Sequence, residues 1–189
     1  MPQIANRLRH PLDPSLLALP HSVIAVLASE ITAACGQPFA AMSARIKAAL
    51  ARAALDPDLL APGQRLTQSG CYARHVLHSD VGGRFKILAI VWAQGQFSPP
   101  HAHHTWCGYA VYENPLDEQL FRFNPGQSKA ELLRTEVRVP GYSCFAGAGL
   151  DQIHRLGNSG QKPAISIHAY GVERECIATH VNRVVDVAP

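Results

Sequence analysis

From Cys71 onward the chain breaks into short β-rich runs, each closed by a Gly-, Pro- or Asn-containing turn. Tyr72 to His78 alternates in polarity and Phe85 to Trp92 is apolar; Asp80-Val81-Gly82-Gly83 between them predicts a hairpin. Further strands are expected at Thr105 to Tyr112, Gln119 to Phe123, Glu131 to Val139, Tyr142 to Ala146, Gln152 to Leu156, Ala164 to Tyr170 and Val181 to Val187. So many short strands must close on themselves or stack, which argues for a barrel or sandwich.

The first third reads differently. Pro14 to Ala34 carries apolar residues near a 3.6 period, with Asp13 as cap, a break at Pro20 and a stop at Gly36. A second, alanine-rich helix is expected over Phe39 to Leu55, ended by Asp56-Pro57. With 189 residues and no linker or repeat, the expectation is one domain: a helical part to about residue 60 and a β-barrel from about 70 to 189.

Charge excludes some partners. Seventeen basic against fourteen acidic residues give +3, scattered along the chain, so neither nucleic acid nor a membrane surface is expected. No apolar run reaches the roughly 18 residues of a membrane span, and Met1 to Pro14 lacks the apolar core of a signal peptide. Cys35, Cys71, Cys107, Cys144 and Cys176 form no CxxC pair; five such cysteines point to reduced thiols and a cytoplasmic setting.

Histidine spacing carries the chemistry. Gly95-Gln-Phe-Ser-Pro-Pro-His101-Ala-His103 sets two imidazoles at i and i+2, on one face of a strand. His154 is the third candidate ligand, brought close if the barrel joins distant strands. Without that closure these are ordinary surface or core histidines. No carboxylate follows the HxH pair, where His104-Thr105-Trp106-Cys107-Gly108 stands. Three neutral ligands leave a divalent ion its full charge, which favours an anionic ligand such as a thiolate; three-histidine zinc with an activated water is the competing chemistry. Ser166, His168 and Tyr170 also share one strand face. A serine hydrolase is disfavoured, since no GxSxG elbow is present.

Gly95-x5-His101-x-His103, followed by His154-x3-Asn158, resembles the two cupin motifs, with the glutamate of the first missing as in the cysteine dioxygenase family. Ser166-Ile-His168-Ala-Tyr170 resembles that family's Ser-x-His-x-Tyr row, and Tyr72-Ala-Arg74 its substrate-binding segment. The resemblance covers about Tyr72 to Tyr170. It implies a mainly β cupin barrel (double-stranded β-helix, or jelly roll) with N-terminal helices packed on it. It further implies an iron(II) enzyme that uses O2 to convert a small thiol carboxylate, L-cysteine first, to its sulfinate. His101, His103 and His154 would ligate Fe(2+); Arg74 and Tyr72 would bind substrate; Tyr170 would act beside the reacting atoms, oriented by His168 and Ser166.

Departures from the family pattern narrow these expectations. Some members link a cysteine to the tyrosine; the aligned position here is Gly108, and Cys107, one residue early, is expected to face away from Tyr170. Gly171 and His104-Thr105-Trp106 lean towards bacterial 3-mercaptopropionate enzymes, whereas Arg74 leans towards cysteine. Mercaptosuccinate would fit if Arg155 or Arg174 also faced the pocket. Outside this family, a zinc or manganese cupin isomerase or hydrolase, or a non-catalytic ligand-binding cupin, remains as an alternative.

Overall fold

The computed structural model describes residues 22–171 and 181–188. The start of the expected first helix (14–21), its Asp13 cap, Val172, Arg174 and Cys176 lie outside them.

Among the described residues, two helices come first. Helix α1 (Val23–Ala34) starts at Ser22, whose Oγ accepts a bond from the Ala25 amide, satisfying one of the donors a helix start leaves open. It buries Leu27, Ala28, Ile31 and Ala34, spaced along one stripe. Helix α2 (Phe39–Ala53) begins after Pro38 and buries Ile46, Ala49, Leu50 and Ala53. No helix among the described residues is long and apolar enough to cross a membrane.

Ten strands follow among the described residues: β1 (Ala73–Ser79), β2 (Lys86–Trp92), β3 (His101–His103), β4 (Cys107–Glu113), β5 (Leu116–Asn124), β6 (Lys129–Arg138), β7 (Ser143–Ala146), β8 (Gly149–Gly157), β9 (Ala164–Tyr170) and β10 (Asn182–Val184). They form two five-stranded antiparallel sheets, ordered β1-β2-β9-β4-β7 and β10-β3-β8-β5-β6. Set the outer β1 and β10 aside, and the eight strands from β2 to β9 run first–eighth–third–sixth in one sheet and second–seventh–fourth–fifth in the other. That order is the double-stranded β-helix, or jelly roll. The chain is therefore mainly β, a cupin-type barrel carrying N-terminal helices. Strand runs expected from the sequence match these elements to within a few residues, and β10 is shorter than the expected Val181–Val187.

The barrel packs in layers. Central strands β2 and β9 are buried on both faces, one against α1 and α2 and the other against the barrel interior, so they read as unbroken apolar runs. Helix α2 seats on β4 and β7. A Cβ at Gly108 would come within 2.8 Å of Leu50 Cδ1, so glycine there lets the helix approach the sheet.

Gly108 thus faces the helix, and Cys107 faces the interior. Cys107 stands directly opposite Tyr170 in the β4–β9 ladder and packs with it, Leu88 and Val181. The expectation that Cys107 turns away from Tyr170 is overturned. Alternation does turn Cys107 and Gly108 to opposite faces; what failed is the choice of Gly108 as the position facing Tyr170, since its missing side chain leaves room for α2 instead.

The β1–β2 hairpin is closed by Asp80. Its carboxylate accepts bonds from the Arg84 amide (3.0 Å), Nε (2.8 Å) and Nη2 (2.8 Å), while the Asp80 amide donates to Phe85. The Arg84 guanidinium, outweighing burial, lowers the Asp80 pKa to about 2 from 3.8. An acid with a depressed folded pKa contributes stability above its unfolded value, and that contribution is lost as protons bind the native state. Denaturant titrations should show this part of the stability intact above pH 3.8 and disappearing as pH falls through about 2. Asp80→Asn should remove that part of the acid dependence; an unchanged pH profile would contradict the role of the clasp.

Candidate metal centre

Strand β3 is only three residues long, yet it joins two others. Its Cα partners are Asn182 to Val184 of β10 on one side and β8 on the other, with His101 opposite His154. The i, i+2 spacing on β3 turns both rings to the same interior space, while on the β8 side the register shifts between His101 and His103. His101, His103 and His154 are all buried, and one nitrogen from each lies within 4.8 Å of the other two. Metal–imidazole bonds are about 2.0–2.1 Å, so a small closing of the rings brings all three onto one ion.

Two of the three rings have fixed tautomers. His101 Nδ1 donates to the Pro99 carbonyl (2.9 Å) and His154 Nδ1 donates to Glu118 Oε1 (2.9 Å). Each therefore offers an Nε2 lone pair to the centre. His154 Nε2 lies 3.2 Å from His103 Nε2, a spacing that needs a shared proton or a cation between them. Burial first, then the proximity of His154, lowers the His101 pKa to about 3 and the His103 pKa to about 2. Both rings are neutral at neutral pH, the state a metal requires. The donor set fits a divalent ion, with no carboxylate ligand among the described residues.

Glu118 was not legible as part of this site. It is on β5, 1% exposed, and it receives Arg138 Nε at 2.7 Å on its second oxygen. Burial works to raise its carboxyl, but the bonds from His154 and Arg138 outweigh it and hold it below the ordinary value. Arg138 also pairs with Glu136 and lies over the Tyr142 ring. The sequence signal existed only as an acid inside an otherwise half-apolar strand.

The row on β9 is assembled as expected. Trp92 Nε1 donates to Ser166 Oγ (2.9 Å), Ser166 Oγ lies 2.8 Å from His168 Nε2, and His168 Nδ1 lies 2.9 Å from the Tyr170 hydroxyl. Trp92 can only donate, so Ser166 is satisfied by giving its own proton to Nε2. His168, kept neutral by burial, then carries its proton on Nδ1 and donates to the Tyr170 oxygen. The phenolic hydrogen is left free of the row, with the Cys107 thiol across the β4–β9 ladder as its hydrogen-bond partner. Trp92, unmarked in the sequence, thus sets the direction of the row.

Tyr72, Arg74, Trp92, Tyr170 and Asn182 join the three histidines around a cavity of about 20 Å³. It adjoins a mouth of about 440 Å³, lined by Tyr72, Arg74, Val76, Leu88, Ile90 and Tyr170 among others. Arg74 bonds the Tyr72 hydroxyl (2.9 Å), Tyr72 packs against Trp92 with its ring tilted by 36°, and among the described residues no carboxylate pairs with Arg74.

Other expected residues fall elsewhere. Arg155 alternates away from His154, lies over Phe97 and bonds the Ser98 carbonyl, so it does not face the chamber. Asn158 closes the β8–β9 connection through the Trp92 and Lys162 carbonyls. Gly171 has a physical partner: a Cβ there would lie 2.1 Å from Trp106 Nε1, while Thr105 Oγ1 donates to the Gly171 carbonyl. Thr105-Trp106 and Gly171 therefore occur together as one packing unit.

No family model matches the chain. Among solved structures it is similar to a protein with a double-stranded β-helix domain from Klebsiella pneumoniae (18% identity over 59% of this chain and 86% of that one, TM-score 0.44). It is also similar to a recombinant oxalate oxidase in complex with glycolate (17%, 56% and 53%, TM-score 0.44). A third is a cupin-superfamily sugar phosphate isomerase from Silicibacter pomeroyi (20%, 53% and 59%, TM-score 0.41).

Trp92→Phe removes a buried donor and leaves Ser166 short of a partner. It should cost roughly 1–3 kcal/mol in denaturant unfolding. Stability equal to the unsubstituted chain would show that the Ser166–His168–Tyr170 row does not depend on Trp92.

Proposed function

We propose that the chain is an iron(II)-dependent thiol dioxygenase that takes a small thiol carboxylate and O2 to the sulfinate (RS⁻ + O2 → RSO2⁻). L-Cysteine is the first choice of substrate, with 3-mercaptopropionate next. Mercaptosuccinate loses the support Arg155 would have given, because that side chain faces out of the chamber. The observation that carries this reading is the convergence of an acid-free Arg74 and the Tyr170 row on the same small chamber as three carboxylate-free histidines.

Iron held by His101, His103 and His154 would supply the redox chemistry that joins O2 to a thiolate sulfur. The chain's own residues do the rest. Arg74, a planar and permanently charged fork, takes the substrate carboxylate, and its bond to the Tyr72 hydroxyl restrains that fork at the mouth. The substrate's sulfur is then directed to the histidine end, so that binding supplies much of the orientation. Tyr170 lines the chamber, and its hydroxyl, turned from Cys107 towards a bound ligand, would stabilise negative charge as it develops on oxygen. Its burial keeps the phenol protonated. The apolar walls of Leu88 and Ile90 keep bulk water from the reacting centre.

Oxygen uptake by iron-loaded protein should depend on an added thiol and be greatest with cysteine or 3-mercaptopropionate among a set including mercaptosuccinate and cysteamine. Arg74→Ala should raise KM on the order of 10- to 100-fold, the loss of one charged hydrogen-bonded pair. His154→Ala should lose iron and activity together. Activity with cysteamine alone would refute the role of Arg74, and full iron content in His154→Ala would refute the ligand set. Little iron after purification without added metal, and no thiol-dependent uptake, would favour a zinc or manganese isomerase or hydrolase instead.

A further inference from the structure

We infer that Glu118 is a positioning residue for the metal centre, the carboxylate of a carboxylate–histidine–metal relay in which Arg138 balances its charge. The inference rests on the three-histidine reading above and names a residue that neither histidine motif contains. Three observations carry it. Glu118 is buried in the barrel wall behind His154, with one oxygen on His154 Nδ1 (2.9 Å) and the other on Arg138 Nε (2.7 Å). Glu118 and His154 reach each other across the β5–β8 ladder, in which His154 stands opposite Leu120, so the backbone fixes the contact. Arg138 is itself held, over Tyr142 and against Glu136.

Such a carboxylate does three things. It keeps the proton on Nδ1, so that Nε2 always presents its lone pair. It holds the ring in one plane. It also adds negative charge through the imidazole, making His154 a stronger donor than a ring bonded to a carbonyl, as His101 is. The sequence lacks an acid next to His101-x-His103; the fold brings one in behind the third histidine, where it acts on the metal without occupying a coordination position.

The test uses the full chain, stripped of metal and titrated with Co(II) against a competing chelator. Glu118→Gln keeps the shape and an acceptor oxygen but loses the charge; it should weaken Co(II) binding roughly 10- to 100-fold and change the visible Co(II) spectrum. Because that variant takes from Arg138 one of its two carboxylate partners and leaves only Glu136, Glu118→Gln/Arg138→Gln is measured beside it. It should unfold at a denaturant midpoint near that of the unsubstituted chain and still bind Co(II) at least tenfold more weakly. The iron-loaded Glu118→Gln protein should also show a higher midpoint potential, since removing nearby negative charge favours the reduced ion. Unsubstituted affinity and spectrum in the double variant would overturn the inference alone. Absence of Co(II) binding by the unsubstituted protein would overturn the three-histidine reading, and the inference with it.

Discussion

The pairing of β3 with β8 holds the site together. A strand of three residues has too few ladder bonds to stand alone; it persists because β10 flanks it on one side and β8 on the other. This arrangement sets His101 across from His154, 53 positions away, at the Cα level rather than by side-chain reach. Everything else is arranged around that fixed pair. His103 follows on the same face, Glu118 reaches His154 from the next strand, and Tyr170 arrives on β9 of the opposing sheet. A jelly roll suits this because its connections pass from sheet to sheet, bringing residues from four separate chain segments to one interior.

The electrostatics of the chamber follow from burial. Imidazoles this far from water are kept neutral, and the same desolvation keeps Tyr170 and Cys107 protonated. Among the described residues, the Glu118–Arg138 pair lies behind His154 and the guanidinium of Arg74 lies at the mouth. A bound anion would meet Arg74 at one end and a divalent ion at the other.

Much of this was legible in the sequence, for reasons that differ by element. Strand periodicity and turn residues placed nearly every β-element, because period-two alternation is local. The i, i+2, i+4 spacing of Ser166, His168 and Tyr170 lay within one continuous strand, so its shared face could be read directly. Where the reading leaned on an aligned position instead, it failed: alternation sets Cys107 and Gly108 on opposite faces, but it is Cys107 that faces inward and Gly108 that faces α2. Glu118, Arg138 and Trp92 were invisible because they act through partners 36, 20 and 74 positions away. No local pattern encodes such a distance; only the closed barrel does.

The central claim is that the three-histidine site takes a thiolate whose carboxylate rests on Arg74. Anaerobic titration of the Co(II)-loaded chain with cysteine or 3-mercaptopropionate measures this without turnover, through the near-ultraviolet charge-transfer absorption of a cobalt–thiolate bond. A saturable band that weakens strongly in Arg74→Ala is the predicted result. A cobalt spectrum indifferent to every thiol carboxylate, in a protein that binds cobalt through His101, His103 and His154, would contradict it.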